Sequence, residues 1–219
     1  MKYIIMCGGR YQRWKTPRHL IEVNGEPIVA RTIRLLRENG INDIAISTHD
    51  DRFARFGVPI LKHDNDYYAV KYNDYYGDWV NCFYPTSEPV CYIFGDVLFS
   101  PEAIKTIVET KTDDIIFFAS KRPFAPEYPK DHCEPFAFKV ADTEHLRSVI
   151  YKVKELDRLG KFCRRPIAFD VWYVICDADP WQDAEDIKDE KARNYVAIND
   201  YTCDIDDPWE VEKVLKWIE

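Results

Sequence analysis

Residues Lys2 to Cys7 read KYIIMC, a short apolar run that stops at Gly8 and Gly9. A helical pattern follows in PIVARTIRLLREN, then a second apolar run in DIAIST. This order limits the fold more than any other feature of the chain. A brief apolar run bounded by glycines reads as a buried strand. In the helical stretch Val29, Ile33 and Leu36 share one face, Pro27 suits the first turn and Gly40 suits the C-terminal cap. Strand, loop, helix and strand in sequence open a doubly wound α/β sheet. The expectation is α/β: a mostly parallel mixed sheet flanked by helices.

The alternation continues with a short strand in VPIL and a buried one in VCYIFGD that ends at Asp96. SPEAIKTIVET predicts a helix with Ser100 as N-cap and Pro101 at its first position. DDIIFFAS, EPFAFKV and PIAFDVWYVI read as strands, and TEHLRSVIYKVKEL reads as a helix. DPWEVEKVLKWIE closes the chain as a helix with Val211, Val214, Leu215 and Ile218 on its buried stripe. Residues 66–84, rich in tyrosine, take no assignment, and the proline-rich stretch 121–135 reads as a loop. No repeat or linker divides the chain, so one domain over 1–219 is expected.

Charge then points to a ligand. The chain carries a formal charge of −8, yet residues 1–20 hold Lys2, Arg10, Arg13, Lys15 and Arg18 with no acid among them. A strand that ends in glycines leaves amides exposed at its carboxyl edge, where a phosphate can approach closely and basic side chains can neutralise it. A solvated basic turn is the competing reading. The acidic remainder argues against a nucleic-acid partner. No stretch is apolar enough to span a membrane, and no signal-peptide pattern is seen. The seven cysteines form no CxxC pair, which argues against a disulfide framework or zinc site and favours a cytoplasmic location.

The N-terminal fifth of the chain resembles the signature of the nucleotidyltransferase (NTP transferase) family, which includes sugar-phosphate nucleotidyltransferases and small cytidylyltransferases. The resemblance rests on Gly8, Gly9, Arg13, Pro17, Asn24, Gly25, Pro27 and Ile28: a glycine-rich basic loop, a proline-basic pair, an NGxPI turn and a helix, in that order. Tyr11 stands where the loop has a further glycine, and Arg18 where the family has its catalytic lysine. Arginine keeps the charge but forks it over two nitrogens. The resemblance implies a Rossmann-like nucleotidyltransferase fold. It also implies that Cys7, Gly8, Gly9, Arg10 and Tyr11 contact the nucleotide, with Asn81, Asp78 or Trp79 near the base and ribose. Arg13 and Arg18 would be catalytic. His19 directly follows the Pro17–Arg18 pair, within reach of phosphate.

The resemblance further implies a Mg²⁺ ion held by Asp96 and by the second aspartate of the DID segment, Asp206. Hard Mg²⁺ is bound through one or two carboxylates plus phosphate oxygens. Asp204 shares a strand face with Asp206 and is the alternative ligand. Asp207, before Pro208, reads as a helix cap. On the acceptor side Glu134, Asp170 and Trp172 are candidates. Carboxylates beside an aromatic suit a cationic head group through cation–π attraction, and they suit sugar hydroxyls equally. Arg164 and Arg165 read either as a phosphate clamp or as a solvated pair. The implied activity is transfer of an NMP from an NTP to a phosphorylated metabolite with release of pyrophosphate, cytidine being favoured. The alternative is a binding protein of the same fold that does no catalysis. The partners would be an NTP and a phosphorylated acceptor, with a homo-oligomer left open.

Overall fold

The first apolar run forms β1 (Lys2–Met6), buried at every residue after the first. A computed structural model describes residues 1–8, 16–62, 80, 82–120, 134–162, 166–178 and 194–218. Within these, β2 (Glu22–Val23) and β3 (Glu26–Pro27) form a small antiparallel hairpin. Its turn is Asn24–Gly25, both at positive φ (52° and 77°), as a tight primed turn requires. Then α1 (Ile28–Glu38) buries Val29, Ile33 and Leu36 and stops at Gly40, whose φ is +80°. The strand β4 (Ile44–Ser47) is wholly buried, and β5 (Ile60–Leu61) is short.

The chain next builds β6 (Val90–Phe94) and β7 (Val97–Leu98). The expected strand ending at Asp96 therefore stops at Phe94, and Gly95 and Asp96 form a turn between two strands. Ser100 caps α2 (Pro101–Glu109), its hydroxyl accepting from the Ala103 amide at 2.9 Å. Then come β8 (Ile115–Ser120), β9 (Pro135–Val140) and α3 (Thr143–Arg158), the last capped by Asp142.

PIAFDVWYVI is a helix, α4 (Ala168–Ile175), and not the expected strand. All its residues are buried, so it carries no polar face. Period cannot separate such a helix from a buried strand. The edge strand β10 (Tyr195–Ile198) has no counterpart in the sequence reading, being brief and mostly half-buried. The pair β11 (Cys203–Asp204) and α5 (Pro208–Leu215) ends the described chain.

Seven strands make one sheet in the order β10-β8-β9-β6-β1-β4-β5. All neighbours are parallel except at β9, which runs against both β6 and β8. Helix α1 packs on α2, and α3 on α4. Ile4, Ile5 and Ile93 are fully buried in the central strands. Each such side chain contributes about 1.5–3 kcal/mol, more than a typical cap, so the buried strands dominate the stability.

Two features of the topology prepare a site. From β1 the chain crosses through α1 to β4 on one side and later returns to β6 on the other. The reversal of strand order opens a crevice at the carboxyl ends of β1 and β6. Second, β11 pairs antiparallel with β7, Cys203 against Leu98 and Asp204 against Val97. A separate core of Val23, Ile28, Leu98, Cys203, Ile205 and Val214 fastens this unit to the β2–β3 hairpin, with Val211, Leu215 and Ile218 packed around it. The expected stripe of the last helix is the surface that docks.

Candidate functional site

At the mouth of the crevice β1 and β6 approach closely. The Gly95 amide donates to the Met6 carbonyl at 3.0 Å. A Cβ on Gly95 would lie 2.5 Å from the Cys7 sulfur and the Met6 oxygen and 2.9 Å from His19 Cδ2. Only glycine fits between them. The Cys7 amide donates to Ser47 O at 2.9 Å, so it is already engaged across the sheet. Burial, with Asp96 adding to it, pushes the Cys7 thiol well above its ordinary range. It is a packed thiol and not a nucleophile.

Pro17 to Ile21 form a single tight turn carrying Arg18 and His19, closed by Leu20 N to Pro17 O at 2.9 Å and Ile21 N to Arg18 O at 3.0 Å. His19 is 2% exposed and meets the Phe53 ring edge-on at 5.9 Å. Burial pushes its pKa down to about 4, against a smaller opposing pull from Asp96. The imidazole is therefore neutral at pH 7.

Arg18 points into the crevice mouth and joins two acids that are 110 residues apart in sequence. Its Nη2 lies 2.5 Å from Asp96 Oδ2, and its Nη1 donates to Asp206 Oδ1. Burial opposes the charge on Arg18, but Asp96, Asp206 and Asp204 together raise its pKa above the ordinary range. The Asp96 side chain is 16% exposed and that of Asp206 45%.

Backbone contacts bring Asp206 there. The Ile205 amide donates to the Asp96 carbonyl at 3.0 Å, continuing the β7–β11 ladder by one step. Glu210 then accepts from the amides of both Asp206 and Asp207 at 2.7 Å, with Asp207 in the N-cap position of α5. Sequence reasoning missed this function of Glu210. Its signal was present as an acid three residues after a capping aspartate.

The two carboxylates face each other across the Arg18 guanidinium, and paired carboxylate oxygens are hard donors of the kind Mg²⁺ takes, with phosphate oxygens left to complete the set. Asp96 and Asp206 therefore fit the ion expected there. Among the described residues no group of three or more His, Cys, Asp or Glu is clustered for a metal.

The other candidates lie in three places. Gly8 follows β1 at the same edge. Glu134 heads β9 and is 3% exposed, its amide donating to Ser120 Oγ at 2.9 Å. The pairing of β9 with β6 ends at Ala137 against Ile93, three residues short of Glu134. Asp170 and Trp172 sit on α4, where Asp170 Oδ2 accepts from the Ile167 amide at 2.7 Å and holds the helix start. Trp172 packs on Tyr195 at 5.1 Å and Phe117 at 5.9 Å. Gly9, Arg10, Tyr11, Arg13 and Asn81 lie outside the described residues, as do Asp78, Trp79, Arg164 and Arg165.

The MobA-like NTP transferase domain model matches residues 3–166, which hold β1, the Arg18 turn and Asp96. The chain belongs to that family. Choline-phosphate cytidylyltransferase of Streptococcus pneumoniae is 37% identical over 94 residues, covering 38% of this chain. The match spans 37% of that relative's length. The inositol-1-phosphate CTP transferase from T. maritima aligns over 100% of this chain and 96% of its own, with a TM-score of 0.57 and 15% identity. The CTP:phosphocholine cytidylyltransferase structure from Streptococcus pneumoniae aligns over 100% and 99%, with a TM-score of 0.52 and 17% identity. At such identities the two structures establish a shared fold. Among the described residues no helix is long and apolar enough to cross a membrane.

Proposed function

We propose that the protein is a Mg²⁺-dependent nucleotidyltransferase that moves a cytidylyl group from CTP to a small phosphorylated alcohol or sugar and releases pyrophosphate. The observation that carries this reading is the convergence of Asp96, Arg18 and Asp206 at the carboxyl ends of β1 and β6. Family membership gives the reaction class. Cytidine is favoured by the names of similar proteins, which act on CTP or make a cytidylyl product.

In this reading a phosphate oxygen of the acceptor attacks the α-phosphorus of the nucleotide. The bond from that phosphorus to the bridging oxygen of the β-phosphate breaks, and pyrophosphate takes the electron pair. The protein positions groups and neutralises charge, with no covalent intermediate. Gly8 and the basic loop through Arg13 receive the triphosphate, Arg18 adds a forked positive charge, and neutral His19 holds the Arg18 turn in place. Asp96 and Asp206 would hold Mg²⁺. When bound it screens the phosphate oxygens and acts as a Lewis acid at the α-phosphate. Glu134, buried at the head of β9, is a candidate for the acceptor side.

Pyrophosphate release tests the proposal. CTP, UTP, GTP and ATP are each paired with phosphocholine, inositol-1-phosphate and glucose-1-phosphate, with Mg²⁺ present. The expected result is turnover with CTP and one phosphorylated acceptor. Nucleotide binding without pyrophosphate release from any pair would establish a non-catalytic binding protein instead.

A further inference from the structure

We propose that Arg18 is a built-in counter-cation that closes the paired-carboxylate site to a divalent ion until a triphosphate draws it away. The inference rests on the reading of Asp96 and Asp206 as metal ligands and adds an order of binding to it.

The geometry is specific. Each terminal nitrogen of the guanidinium is committed to a different acid, Nη2 to Asp96 Oδ2 at 2.5 Å and Nη1 to Asp206 Oδ1. These are oxygens a metal would need. A divalent ion placed on them would meet a full positive charge at close range, in a partly desolvated site where such repulsion is strong. The guanidinium and the ion therefore compete for the same two carboxylates.

The base of Arg18 is fixed and its side chain is partly exposed. The backbone of the turn is held by the hydrogen bonds of Leu20 and Ile21, and His19 is buried beside it. The Arg18 side chain is 29% exposed and extends from this fixed base. Its long chain can change rotamer without disturbing the fold. A triphosphate arriving at the adjacent glycine edge offers planar, bidentate anion recognition, which guanidinium prefers. Release of Arg18 to phosphate frees both carboxylates, so nucleotide and metal enter together. A lysine at this position would offer one nitrogen in place of two and would grip the pair less well.

The test is Mn²⁺ binding to the full chain without nucleotide, followed by electron paramagnetic resonance. Four proteins are compared: the natural chain, Arg18→Met, Arg18→Lys, and Arg18→Met combined with Asp206→Asn. Arg18→Met is expected to bind Mn²⁺ at least roughly tenfold more tightly than the natural chain, with Arg18→Lys between them. Adding Asp206→Asn should remove the gain. Equal affinity in the natural chain and Arg18→Met, with Asp206→Asn still weakening binding, would keep the metal pair and overturn the counter-cation. Binding indifferent to Asp206, or absent from Arg18→Met, would overturn the metal reading and the counter-cation together. Thermal melting checks each variant. If Arg18→Met does not fold, Arg18→Lys decides: tighter binding than the natural chain supports the proposal, and equal binding overturns it.

Discussion

The backbone of Ile205 is hydrogen-bonded to the backbone of Asp96, N to O at 3.0 Å. This one bond places the following residue, Asp206, across Arg18 from Asp96. Ile205 itself is fully buried in the small C-terminal core. Ile205→Ala should cost about 2–4 kcal/mol of stability through the cavity it leaves. It should also lower activity of the remaining folded protein, because the β7–β11 unit loosens. Chemical denaturation and turnover at a temperature well below melting separate the two effects.

Asp96→Asn and Asp206→Asn should each reduce turnover by on the order of a hundredfold or more. The double variant should be little worse than either alone, since the two residues act as one unit. Asp207→Asn should leave turnover nearly unchanged, because asparagine caps a helix about as well as aspartate. Steady-state pyrophosphate release measures all four. Additive losses would separate the roles of the two acids.

Gly95→Ala has no room: the new methyl would meet the Cys7 sulfur, the Met6 oxygen and His19. Two of these contacts are to backbone or to a side chain packed beneath the sheet, so relief requires the edges of β1 and β6 to part. A loss of about 1–3 kcal/mol is expected from overpacking, with a larger fractional loss of turnover because Asp96 is the next residue. A melting temperature equal to that of the natural chain would show that the strand ends yield easily.

Stability should fall as the solution is acidified below pH 6.5, and His19 should be a cause. In the folded protein its pKa is down at about 4, while in the unfolded chain it is near 6.5. Between these values the unfolded state binds a proton that the folded state refuses, so acid favours unfolding. Above pH 6.5 both states are neutral and the penalty vanishes. The contribution amounts to about 2 kcal/mol between pH 7 and pH 5. His19→Gln removes the titration, so its deficit against the natural chain should shrink by that amount on going to pH 5. Urea midpoints at the two pH values give the comparison, and parallel slopes would clear His19 of the effect.

Lys139 provides a control remote from the chemistry. It is 6% exposed on β9, and its Nζ donates to the carbonyls of Ile107 and Val108 at 2.8 Å and of Thr110 at 2.6 Å. It thus closes the end of α2, where the helix dipole is negative. Lys139→Met should cost about 1–3 kcal/mol by leaving these acceptors unmet, while turnover per folded molecule stays unchanged.

Much of the fold was legible because it rests on local rules. Short apolar runs marked β1, β4, β6, β8 and β9, with glycine closing the first and the third of them. Ser100 and Asp207 stood at the helix starts where capping requires them. The helix at 168–175 was misread because it is buried on every side, and a sequence shows a helix only through the contrast between its faces. Glu210 went unread, although it stands three residues after the capping aspartate, because spacing alone does not show that it also holds the Asp206 amide.

The sequence by itself determined that a glycine-ended strand meets a basic loop, and that acids stand at the ends of two distant elements. Those facts follow from residue type and spacing along the chain. Only the tertiary structure decided that Asp96 and Asp206 share one guanidinium. Their approach depends on the order of strands around β1 and on the pairing of β11 with β7. Both are long-range hydrogen-bonded contacts, and neither leaves a periodic mark in the sequence.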